Sequence, residues 1–133
     1  MRILCYLILI LGADSPNLFH TRSQYRGVSF AIGALESWRR VTTIPNILKV
    51  FNPHIVGGSV NVGGEFDRGT NLNLASPGAT SRELIQQSKR LIKVLSKSGD
   101  RYKWKLVTIL MGHNDVCTHP CNTTYTAFDA SPR

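Results

Sequence analysis

Acidic residues are scarce in this chain. Its 133 residues include eight Asp and Glu against sixteen Lys and Arg, for a formal net charge of +8. The imbalance suits an anionic partner, whether nucleic acid, acidic lipid headgroup or acidic glycan, without choosing among them. Cysteine is scarce as well, and three are too few for a disulfide-scaffold miniprotein. No apolar run approaches the ~20 residues of a membrane span. No motif interleaves aromatic with basic residues, which argues against nucleic acid as the partner. Eleven Gly and six Pro are ordinary numbers and exclude a collagen-like or low-complexity chain. What is present is 42% apolar residues with 18% charged, a composition that folds. The length fits one domain and leaves little margin for burying a core.

Met1 and Arg2 precede an apolar run from Ile3 to Leu11, followed by Gly12 and Ala13. A basic start, a short apolar stretch and small residues form the pattern of a signal peptide. The same run reads equally as a buried parallel strand. Both readings stand for residues 1–13, with the remaining domain over 14–133. Asn122-Thr123-Thr124 is an N-glycosylation sequon and favours a secreted protein or one on the extracellular face of the plasma membrane.

Further along, Ile44, Ile47, Leu48 and Phe51 fall at helical spacing, and Pro45 suits a first turn, so the spacing predicts a helix over 43–51. Asn52-Pro53 ends it. His54 to Val60 is a β-branched run and a candidate strand. Residues 61–79, rich in Gly, Asn and Ser, read as loop. A second helix is expected over 80–98. Thr80 and Glu83 have capping-box spacing. Leu84, Ser88, Leu91, Ile92 and Leu95 make its apolar stripe, and Gly99 its C-terminal stop. Trp104 to Met111 reads as a buried strand, and the tail after Cys121 as loop. Strands alternating with helices predict an α/β fold with parallel strands.

In such folds chemistry gathers beyond the carboxyl ends of the strands. Two segments fit. Ala75-Ser76-Pro77-Gly78-Ala79 lies just before the long helix, where the Gly78 backbone N–H can meet an anion. Gly112-His113-Asn114-Asp115 follows the last strand, and Asn114 offers a side-chain amide. A backbone N–H and an Asn amide are sufficient for an oxyanion hole. A glycine turn with a loop-capping Asn is the plainer account of the same residues.

Gln24-Tyr25-Arg26-Gly27-Val28-Ser29-Phe30-Ala31-Ile32-Gly33, Thr42 to Leu48 with Phe51-Asn52-Pro53, Leu74 to Ala79, and Trp104 to Thr108 with Gly112 to Asp115 occur in that order. Together they resemble the phospholipase B branch of the GDSL, or SGNH, hydrolases, over roughly residues 20–121. The resemblance implies a three-layer α/β fold, a parallel sheet flanked by helices, here as a partial domain. It also implies a serine ester hydrolase acting on phospholipids or lysophospholipids without metal or organic cofactor. Gly78 and Asn114 would be its oxyanion donors.

Two departures follow from the same comparison. The family's nucleophile lies in a Gly-Asp-Ser-Leu block, whereas this chain has Gly12-Ala13-Asp14-Ser15. Ser15 is either that nucleophile, displaced by an inserted Ala13, or part of the variable segment downstream of an absent block. The family's base lies in a late Asp-x-x-His block. None of His20, His54, His113 and His119 follows that pattern, so the chain is expected to resemble the N-terminal part of a hydrolase domain. His113, Cys117, His119 and Cys121 lie close enough in sequence to suggest zinc. A contiguous segment surrounds a metal poorly, though. A local Cys117–Cys121 disulfide fits a secreted protein, and the family carries a close Cys pair after this block. The basic residues between Arg82 and Lys105 make a solvated face or, for a phospholipase relative, an attraction to a membrane surface.

Overall fold

The computed structural model describes residues 2–6, 23–99 and 102–118, with the backbone alone for 2–6 and 117–118. Ser15, Cys121 and Asn122 lie outside the described residues, as does the side chain of Cys117.

Strand β1 (Arg2–Tyr6) pairs in parallel with β2 (Lys105–Ile109), with Arg2 opposite Lys105 and Tyr6 opposite Ile109. This two-stranded sheet is the one sheet among the described residues, and the chain is α/β in kind. The expectation of a buried 104–111 strand needs correction. The strand forms, but Trp104, Val107, Ile109 and Leu110 are exposed, because no described layer covers them. The expected strand over 54–60 does not form either. Gly57 adopts φ +105, which breaks the extended run, and Val56 and Ser59 form isolated bridges instead, Ser59 with Gly33.

Helix α1 (Ile44–Phe51) carries Pro45 in its first turn. The Thr43 hydroxyl accepts from the Asn46 N–H at 3.2 Å and donates to Gly33 O at 2.6 Å. One side chain thus satisfies an orphan helix donor and fixes the preceding loop. Helix α2 (Leu84–Ser96) is entered through a short 3₁₀ turn, Ser81–Glu83. The expected capping box is present. Glu83 Oε2 accepts from the Thr80 N–H and hydroxyl, both at 2.6 Å, and these bonds hold its carboxyl below the ordinary glutamate pKa. Gly99, at φ +68, follows the helix end.

The face of α2 that packs inward is made of the buried Gln87 and the half-buried Leu84, Leu91, Val94 and Leu95. Ile92 is exposed, since it lies about 100° round the helix from Leu91 and so leaves the stripe. Leu91 joins two small clusters, one with Ala31, Ile32 and Leu72 and the other with Leu74, Ala79 and Met111. The buried apolar residues include four alanines, and the largest fully buried side chain is an arginine, Arg26. Polar bonding therefore carries much of the order in this region.

Candidate active site

Arg26 is 0% exposed and anchors the segment that leads to Gly78. Its Nη1 donates to Asn73 O and Asn73 Oδ1 at 3.1 and 3.0 Å, and Nη2 to Ala75 O at 2.8 Å. Nε donates to Gly63 O at 3.0 Å, and Gln24 Oε1 accepts from both Nε and Nη2. Burial pushes the guanidinium pKa down from its ordinary value, with Glu65 and Asp67 opposing that shift and Arg90 adding to it. An arginine starts so high that it stays charged. The backbone of 73–75 is thus held by a planar fork with defined bond directions. Asn73 Oδ1 also accepts from the Ala75 N–H at 3.2 Å, which tightens the same turn.

Beyond Ala75 the chain turns at Gly78, whose φ of +73 strains any residue with a Cβ. The space where a Cβ would stand is open, with no atom within 4 Å. Among the described residues, the Gly78 N–H has no backbone or side-chain acceptor. Gly112, at φ +107, gives the same freedom to the turn that follows β2.

The two turns meet. Asn114 Nδ2 donates to Ala79 O at 2.9 Å. Both carboxylate oxygens of the buried Asp115 accept from the Ser81 N–H at 3.0 Å, and Oδ1 accepts from the Ser81 hydroxyl at 2.5 Å. Helix α3 (His113–Thr118) holds Asn114 and Asp115, and its first turn sits against the entry to α2. Ser81 donates straight to the carboxylate with no imidazole between, so this pair is a clamp and not a nucleophile with its base. The His113 side chain is exposed. Of the residues singled out from sequence, Gly78 and Asn114 are brought to one place.

Arg26 and Asp115 were not singled out as site residues from the sequence. Each stands inside a motif of the sequence, Arg26 within Gln24 to Gly33 and Asp115 at the end of Gly112 to Asp115.

A model of the GDSL-like lipase/acylhydrolase family matches residues 23–131. The chain belongs to that family. Similar relatives are membrane-associated phospholipases B1. That of Mus musculus is 35% identical over 116 residues, 85% of this chain and 8% of its own length. That of Rattus norvegicus is 36% identical over 109 residues, covering 80% and 8%. That of Homo sapiens is 35% identical over 113 residues, covering 82% and 8%. The chain therefore falls in the phospholipase B branch and spans about 8% of the length of these relatives. No solved structure matches it.

Proposed function

We propose that the chain is a phospholipase B-like carboxylic ester hydrolase unit that carries the oxyanion half of the chemistry. Its substrates would be acyl esters of phospholipids or lysophospholipids. The observation that carries this reading is the clamp of the Gly112–Asp115 turn onto Ala79 and Ser81, which brings Asn114 beside the Gly78 turn. In a three-layer SGNH arrangement, serine attack on the ester carbonyl makes a tetrahedral oxyanion. The Gly78 N–H and the Asn114 amide would hold that oxygen. A donor of this kind is worth about 2.7–4 kcal/mol in the transition state. The reaction calls for no metal or organic cofactor.

Oxyanion donors stabilise charge but do not create a nucleophile. General-base catalysis is worth ~10²–10⁴-fold, and no histidine of the chain stands in an Asp-x-x-His setting. That observation favours a second reading, a catalytically inactive homologue whose role is lipid or partner binding. Hydrolysis of p-nitrophenyl butyrate separates the two. The 133-residue chain is expected to act no faster than buffer, with Ser15→Ala and Asn114→Ala unchanged. A clear rate abolished by Ser15→Ala would overturn the inactive reading and make Ser15 the nucleophile. A secreted setting, with Cys117 linked to Cys121 and Asn122 glycosylated, belongs to the same proposal.

A further inference from the structure

Helix α1 is turned inside out. A helix on a globular surface buries its apolar stripe and shows its polar face to water. The two polar side chains of Ile44–Phe51, Asn46 and Lys49, both reach inward. The Asn46 amide donates to Leu35 O and Val41 O at 2.9 and 2.8 Å, and Lys49 Nζ donates to Ala34 O at 3.2 Å. The outward side consists of Ile47, Val50 and Phe51, which are 41%, 58% and 81% exposed. The helix thus places its polar bonding within the fold and leaves an outer face with no polar side chain.

The turn that leads into α1 adds an aromatic and cations. Trp38, Arg39 and Arg40 are exposed, and the Arg39 guanidinium lies over the Trp38 ring, 5.5 Å from its centroid. Arg40 pairs with Glu36 at 3.0 Å, so Arg39 carries the net positive charge of this turn. The bond from Asn46 to Val41 O ties the turn to the helix.

We propose that the outer face of α1, with the Trp38–Arg39 turn, is the surface by which this protein lies on an anionic phospholipid layer. Ile47, Val50 and Phe51 enter the acyl boundary, Trp38 sits at headgroup level, and Arg39 meets lipid phosphate. A few apolar side chains give only weak interfacial binding. Arg39 supplies a local attraction to lipid phosphate, and the chain's net charge of +8 draws the whole protein toward an anionic layer. The choice of lipid over a protein partner rests on this charge complementarity and on the phospholipid reading above.

Vesicle binding tests the face without any turnover, so its failure would leave the hydrolase reading standing, and the reverse also holds. Trp38 and Trp104 are the two tryptophans, and Trp104→Phe leaves Trp38 as the reporter. Emission from this variant should move to the blue on titration with phosphatidylcholine vesicles containing phosphatidylserine. The shift should be smaller with phosphatidylcholine alone and should reverse in high salt. Val50→Ser with Phe51→Ser should lower the partition coefficient about tenfold or more. Ile47→Ser alone should act in the same direction to a lesser extent. Phe66→Ser is the control, because Phe66 is 80% exposed on another segment and should not matter. Absence of the shift, parental binding by the Val50→Ser/Phe51→Ser protein, or an equal loss with Phe66→Ser would overturn the proposal. Self-association that Val50→Ser/Phe51→Ser abolishes, with no vesicle binding, would also overturn it and give the face to a second copy of the chain.

Discussion

The loop-rich stretch between residues 23 and 79 and the two-stranded sheet handle their side chains in opposite ways. In the loops a charged residue is wholly buried and six hydrogen bonds converge on it. In β2 the apolar residues Val107 and Ile109 lie open to solvent. The loops are tied from inside, because Arg26 supplies a partner for carbonyls that no ladder pairs. Among the described residues the sheet is incomplete, because a strand pair with one neighbour and no covering layer has nothing to bury its faces against. Loop regions are ordinarily the softer part of a domain. Here the loop that leads to Gly78 is the better tied of the two.

Removing the tie should give the largest effect. Arg26→Leu leaves the carbonyls of Gly63, Asn73 and Ala75 buried without their donor. The expected cost is about 3–5 kcal/mol, measured as a fall in the urea midpoint at an unchanged slope. A loss under about 1 kcal/mol would mean that the loops hold without their arginine, and the contrast with the sheet would fail.

The junction between the two regions comes next. Asp115→Ala removes a charge-assisted acceptor from Ser81 and should cost about 1.5–3 kcal/mol. The loss should be local, read as faster amide exchange at Ser81 and at the start of α2, while amides around Arg26 keep their protection. Uniform acceleration across both regions would show that loops and sheet unfold as one body.

The smallest effect is expected on the sheet. Val107→Thr with Ile109→Thr should change stability by no more than about 0.5 kcal/mol, because these side chains have little packing to lose. The soluble yield should rise as exposed apolar strand surface is reduced. A destabilisation as large as that of Asp115→Ala would show that β2 is packed.

Legibility in the sequence follows the range of the forces involved. Both long helices are announced by local chemistry, Thr43 with Pro45 for α1 and Thr80 with Glu83 for α2, and both signals act within four residues. The stretch from His54 to Val60 misleads because β-branched residues argue for a strand while Gly57 adopts a backbone that no strand accepts. Ile92 misleads by a smaller margin, as an apolar residue one step off the stripe. Gly78 and Asn114 are legible through their motifs, and the structure brings their turns together. Arg26 and Asp115 are not, because their partners lie up to 49 and 34 positions away. Composition presents an arginine as a surface residue, and only the fold reveals that it is fully enclosed.

The parallel pairing of β1 with β2 also sets an order of events. Arg2 and Lys105 are neighbours across 105 − 2 = 103 positions. Closing a loop of that length costs about 4 kcal/mol of chain entropy, so the pair gains little until the intervening helices and loops have drawn the ends together. During synthesis at ~5–20 residues per second, residues 2–6 wait about 5–20 s for the strand that will pair with them. A ribosome-bound chain stalled before residue 105 would therefore present β1 as an unpaired edge, open to a chaperone or to a neighbouring nascent chain.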